Sequence, residues 1–261
     1  MADTGNVNIH TDKLSEYRVW DRTTRIFHWV NVITVTCLIG IGIVILNAKT
    51  LGVSDEGKLA LKSLHVYVGY VFCINLLWRF IWGFSGNRFA RWRAILPVGK
   101  GYWRSLGSYI TGILSGHPIH YLGHNPLARI MVTFMMLLLL TQAITGLVLA
   151  GTDLYFPPLG HEIKEWVAGS GEDHEKLRYI TPGSTENVDE EGYAEMRKFR
   201  EGFIETHEIV FFLLLIAILL HIIGIVVTEF REGGGLISAM ITGKKYFSDS
   251  PVDKDEENKD N

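Results

Sequence analysis

Apolar residues in this chain gather into four long blocks, at roughly 27–46, 63–84, 130–150 and 209–228. Each matches the roughly 20 apolar residues that a helix needs to cross a bilayer. Three contain no Lys, Arg, Asp or Glu, and the second contains only Arg79. One such run would suit a buried soluble helix equally well. Four in a single chain predict an all-α membrane protein, a four-transmembrane-helix bundle threaded up and down through lipid. Around them the chain divides into a polar tail at 1–17, a transmembrane domain at 18–247 and an acidic tail at 248–261. The composition of "DSPVDKDEENKDN" in that last segment is expected to leave it disordered.

The overall hydrophobic content of 48% is ordinary, so the signal lies in its distribution. The first eighteen residues are polar and the first apolar run is too long for a signal-peptide core, so no cleavable signal is expected. The net charge of -3 conceals an asymmetry that sets topology. Between 85 and 127 stand Arg88, Arg91, Arg93, Lys100 and Arg104 with no acidic residue, and Arg18, Arg22 and Arg25 precede the first span. The segment 151–202 instead has twelve acidic residues against six basic ones. Positive loops stay inside. The expected location is the bacterial inner (cytoplasmic) membrane, with both termini cytoplasmic and 47–62 and 151–202 in the periplasm. Cys37 and Cys73 fall within spans and read as small buried hydrophobes. No C-x-x-C-H motif offers covalent haem attachment, and no nucleic-acid partner is expected.

Two connections carry their own patterns. The inner one, "VGKGYWRSLGSYITGIL", has aromatics suited to headgroup depth and predicts an interfacial helix. The outer loop is about ten times longer than a typical connection. Its stretch "LYFPPLGHEIKEWV" has the aromatics, prolines and helical spacing of an ordered docking structure.

Ionisable groups at membrane depth are costly and mark function. His28, His65, His207 and His221 lie within or at the edges of the spans. On one helix the step from His207 to His221 is about 3.9 turns and roughly 21 Å, so both point to nearly the same face at two depths. With the N-terminus inside, His65 shares the outer level with His207, and His28 the inner level with His221. Two bis-histidine pairs on neighbouring helices are what two b haems require, with no open iron position, which favours electron transfer. Zinc would want four ligands at one point. The same fourteen-residue step places Gly42 at the outer level, where it serves either approach of a flat macrocycle or helix packing. It places Arg79 at the inner level, as a partner for propionates or as a snorkelling arginine.

The segments "RIFHWVN", "HVYVGYVFCINLLWRFIWGF", "GHNPLAR" and "HEIVFFLLLIAILLHI", with "LISAMITGKKYF" near the end, resemble one family. It is the di-haem cytochrome b subunit of membrane-bound nickel–iron hydrogenases, within the prokaryotic cytochrome b561-like group. The resemblance covers most of 18–247. It implies haem ligation by His28, His65, His207 and His221, the set that the depth argument reaches independently. It also implies electron exchange with a periplasmic subunit and with quinone near the cytoplasmic side. In related formate dehydrogenase subunits the asparagine matching Asn125 lies at the quinone site, so Asn125, His124 and Arg129 are candidates there. Asn125 before Pro126 also suits a helix N-cap, and both roles can hold together.

The outer loop is longer and more acidic than that family leads one to expect. The expected partner is a nickel–iron hydrogenase with its iron–sulfur subunit or, as the loop suggests, a multihaem c-type cytochrome or another periplasmic reductase. Two alternatives remain: a stand-alone quinol-linked reductase, and a non-redox anchor or transporter whose histidines carry protons or metal.

Overall fold

A computed structural model describes residues 14–169 and 176–254. The tail positions 1–13 and 255–261, and 170–175 of the outer loop, lie outside the described residues. The elements in chain order are β1 (Ser15–Arg18), α1 (Arg22–Leu46), α2 (Asp55–Ser85), α3 (Trp92–Ile95), α4 (Tyr102–Leu114), α5 (Pro126–Leu154), α6 (Gly160–Ala168), α7 (Glu190–Glu232), α8 (Leu236–Thr242) and β2 (Lys244–Phe247). The chain is mostly helical, and α1, α2, α5 and α7 are each long and apolar enough to cross a membrane. All four outrun the apolar blocks that predict them, because polar flanks continue the helical hydrogen bonding past the hydrophobic boundary. At 43 residues, α7 rises about 65 Å, roughly twice the hydrocarbon thickness of a bilayer.

Two compact units make up the fold. The first comprises 26–85 and 131–221. Its centre is a cluster of Val35 from α1, Phe72 and Leu76 from α2, Leu138, Leu139 and Ala143 from α5, and Val210, Leu214 and Ala217 from α7. Ile33, Ile74, Leu137 and Ile209 face outward, as a bilayer requires of a bundle whose solvent is lipid. The described part of the outer loop is folded within this unit. Ile163 and Val167 of α6, Ile180 and Met196 form a separate core with Trp166 and Tyr155 packed on it. Asp189 starts α7, its Oδ2 accepting from Gly192 N at 2.8 Å while its own N donates to Val167 O. A Cβ on Gly192 would lie 2.7 Å from Trp166 O, so only glycine lets α6 and α7 approach this closely.

The second unit comprises 1–25, 86–130 and 222–261. The interfacial helix expected in the inner connection is α4, which buries Tyr102 and Tyr109 and turns Trp103 and Leu114 outward. Four-residue strands β1 and β2 pair antiparallel, Ser15 opposite Phe247 and Arg18 opposite Lys244. They pack Val19, Trp20, Leu122, Ala239 and Phe247 together. This ribbon departs from the purely helical expectation; alternation over four residues is too short to read as a pattern. Of the acidic tail, 248–254 belong to the described residues. Asp253 accepts from Leu122 N at 2.7 Å and Gly123 N at 2.9 Å, and Val252 N donates to His120 O. A carboxylate holding two backbone N–H groups keeps this first part of the acidic tail in place.

Candidate functional site

In the first unit, His65 of α2 and His207 of α7 face each other with ring centroids 6.4 Å apart and planes inclined by 70°. They line a cavity of about 480 Å³ whose walls come from α1, α2, α5 and α7. Metal–imidazole bonds are about 2 Å long, so one ion held between two imidazoles places the ring centroids roughly 6 Å apart. Among the described residues no three His, Cys, Asp or Glu side chains converge as a metal cluster. The donor set therefore fits an iron whose four remaining positions belong to a porphyrin.

The surroundings of each imidazole fit the same group. A Cβ on Gly42 would lie 3.6 Å from His65 Cε1, and one on Gly146 would lie 3.5 Å from His207 Cε1. Each ring thus has a bare backbone beside it, from α1 on one side and α5 on the other, where a Cβ would come into van der Waals contact with the imidazole. Thr145 Oγ1 donates to Thr141 O at 2.8 Å and sits 2.7 Å from His207 Nδ1. The hydroxyl therefore accepts from Nδ1–H, which leaves Nε2 carrying the lone pair for a metal. Gln142 Nε2 donates to His207 O at 3.0 Å and steadies the same turn. His65 Nδ1 is buried with no hydrogen-bond partner among the described residues. Gly146, Thr145 and Gln142 went unread in the sequence. Their only signal is position: on α5, four residues or fewer apart, opposite the turn of α7 that carries His207.

His28 of α1 and His221 of α7 are close enough to interact electrostatically, and His28 Nδ1 is buried with no hydrogen-bond partner among the described residues. The His28 ring stands edge-on to Trp29. Asn75 Nδ2 donates to Phe27 O at 3.1 Å and ties α2 to α1 at this level. Arg79 is buried, 5% exposed, with its guanidinium 5.7 Å above the Phe27 ring.

Asn125, His124 and Arg129 belong to the second unit. Asn125 caps α5, its Oδ1 accepting from Ala128 N at 2.7 Å. Its Nδ2 donates to Tyr109 Oη at 2.5 Å, and Tyr109 Oη donates in turn to Glu232 Oε1. Burial, reinforced by the Glu232 carboxylate, pushes the Tyr109 phenol well above its ordinary range, so it stays a neutral donor. The amide keeps one N–H beyond these bonds. His124 packs against Trp20 with centroids 4.9 Å apart. Arg129 Nη2 donates to Arg93 O and Leu96 O and ties down the inner connection. Tyr109 and Glu232 join Asn125 across long sequence gaps, which spacing alone does not reveal.

Residues 19–243 match the prokaryotic cytochrome b561 family. A probable Ni/Fe-hydrogenase B-type cytochrome subunit of Rhodobacter capsulatus is 24% identical over 249 residues, covering 90% of this chain and 83% of that protein. Its counterpart in Cupriavidus necator is 23% identical over 240 residues, covering 88% and 87%. The Ni/Fe-hydrogenase 1 counterpart of Escherichia coli is 31% identical over 150 residues, covering 53% and 62%. No solved structure matches the chain. With four spanning helices, facing imidazoles and a family match over most of its length, the chain belongs to the prokaryotic cytochrome b561 family and is an integral membrane b-type cytochrome of electron transfer.

Proposed function

We propose that this protein carries electrons between a periplasmic redox partner and membrane quinone, as a di-haem subunit of a bacterial inner-membrane complex. The observation that carries the reading is the facing pair of His65 and His207, 6.4 Å apart in a cavity flanked by two glycines. Haem b, when bound, supplies a one-electron iron couple. His65 and His207 would hold one such group from opposite faces, and Thr145 would orient the second imidazole. His28 and His221 would hold another, with buried Arg79 as a partner for its carboxylates. Ligation by two histidines would leave no iron position for dioxygen or substrate, and the protein's part would be ligation, spacing and potential.

Asn125 is the proposed quinone-side donor, with His124 and Arg129 beside it in sequence. Its free N–H would donate to a carbonyl oxygen of the quinone, and the basic connection 85–127 favours the added negative charge. The basic segments put both termini in the cytoplasm and 151–202 in the periplasm. A nickel–iron hydrogenase with its iron–sulfur subunit is the favoured partner, since the relatives bear that enzyme's name. A multihaem c-type cytochrome is the second choice, favoured by the acidic character of 151–202. The folded core around Ile163 and Met196 in that segment supports docking over a stand-alone reductase.

The test is a pyridine haemochrome assay on the purified chain, with an expected two b haems per polypeptide. His65→Ala and His207→Ala should remove one and the same haem, and His28→Ala and His221→Ala the other. A purified chain without α and Soret bands would leave the transporter reading standing.

A further inference from the structure

We infer that Lys62 and Arg200 anchor the propionates of the haem held by His65 and His207, and that Asp153 positions those two cations; this rests on the ligand reading above. Asp153 Oδ2 lies 2.5 Å from Lys62 Nζ, and its Oδ1 lies 2.6 Å from Arg200 Nη1. All three residues line the same cavity as the two histidines. They come from three helices, α2, α5 and α7, and the pairs span 91 and 47 positions of sequence, so no local turn brings them together.

Their register follows the ligands. Lys62 precedes His65 by three residues and Arg200 precedes His207 by seven, while Asp153 follows Gly146 by seven. Steps of three and seven keep the same helix face, so the charges stand one to two turns from the imidazoles, at one end of the cavity. The charged side chains that line the cavity have an excess of positive charge, Lys58, Lys62 and Arg200 against Asp153 and Glu208. The cluster is mostly withdrawn from solvent, with side-chain exposures of 31%, 17% and 24% for Lys62, Asp153 and Arg200. A partly buried surplus of cations at the mouth of an apolar cavity calls for anions, and carboxylates are the only charged groups on the periphery of haem b. An ammonium has three donors and a guanidinium five, so a single carboxylate leaves most of them to spend. Asp153 holds both heads over the cavity and prevents either from extending into water.

The inference makes opposite predictions for the two signs of charge. Reduction adds an electron, and nearby positive charge favours it. In a spectroelectrochemical titration of the purified full-length holoprotein, the double variant Lys62→Gln/Arg200→Gln should move the midpoint of the His65/His207 haem to lower potential. Asp153→Asn should move it to higher potential. The other haem should not move in either variant. Transfer of haem to excess apomyoglobin should be at least tenfold faster from the double variant, with Lys62→Arg/Arg200→Lys restoring retention. Repeating the titration on His28→Ala, which keeps only the haem in question, assigns the shifting component. Shifts of the same sign in both variants, or of neither, would overturn the inference, as would wild-type retention in the double variant. Two haems retained in His65→Ala would instead overturn the ligand reading itself. One haem lost there, with no midpoint response to the charge variants, overturns this inference alone.

Discussion

Replacing Thr145 with valine removes one hydroxyl and keeps the shape of the side chain. The hydroxyl is buried, with Thr145 only 4% exposed, and it accepts from His207 Nδ1–H at 2.7 Å. Valine leaves that N–H facing a methyl group where no water can replace the lost acceptor. An unpaired buried donor costs about 1–3 kcal/mol, or roughly 5- to 150-fold in an equilibrium constant. Groups that orient a metal-bound histidine change affinity by about 10- to 100-fold, the same range. Thr145→Val should therefore release the His65/His207 haem to apomyoglobin about tenfold or more faster than wild type. The hydrogen bond also makes the imidazole a stronger donor to oxidised iron, so its loss should raise the midpoint potential of that haem only. Thr145→Ser keeps the hydroxyl and should restore both values. Wild-type retention and potential in Thr145→Val, in a protein from which His207→Ala strips the haem, would refute the role assigned to this contact.

Three further outcomes are expected. Asn125→Leu should leave both haem spectra intact yet slow quinone-dependent oxidation of the reduced protein tenfold or more, the cost of about one hydrogen bond to a charged group; unchanged turnover would reduce Asn125 to the cap of α5. A reporter active only in the periplasm should work when inserted between 176 and 189 and stay silent near Lys100, and the reverse would invert the topology. Lys245 is 4% exposed and donates to Tyr121 O and Gly123 O, and burial pulls its pKa down to about 8 against the attraction of Asp253 and Glu232. Between about pH 8 and the ordinary lysine value near 10.4 the unfolded chain binds the extra proton, so unfolding becomes harder as pH rises through that window. Thermal melts of Lys245→Met, followed by tryptophan fluorescence, should lose this pH dependence; a wild-type slope in the variant would place its origin elsewhere.

The four spans were legible because lipid demands apolar residues on every face of a helix, and such blocks stand out without alignment or structure. The four histidines were legible for the complementary reason, since an imidazole among leucines and isoleucines has to be justified by something. Thr145 and Gly146 pass unnoticed, because threonine and glycine are ordinary in spanning helices and their role depends on which α7 residue they face. Lys62, Asp153 and Arg200 each read as a polar flank of a span; only the packing of three helices makes them a cluster. The β1–β2 ribbon and Asp253 were hidden in another way. Four-residue strands have too few alternations to count, and one aspartate in an acidic tail looks like its neighbours until its two backbone donors are in view.

Helix α7 carries one member of each histidine pair on an uninterrupted ladder of backbone hydrogen bonds. It therefore acts as a ruler. The spacing between the two histidine levels is set by helical pitch, about 1.5 Å for each of fourteen residues, and not by loops. One residue inserted between His207 and His221 would rotate one imidazole about 100° away from its mate, while seven would come within about 20° of restoring the facing at a greater distance. The segment 151–202 can therefore change in length or composition without altering the interval between His207 and His221, which lies wholly within one helix.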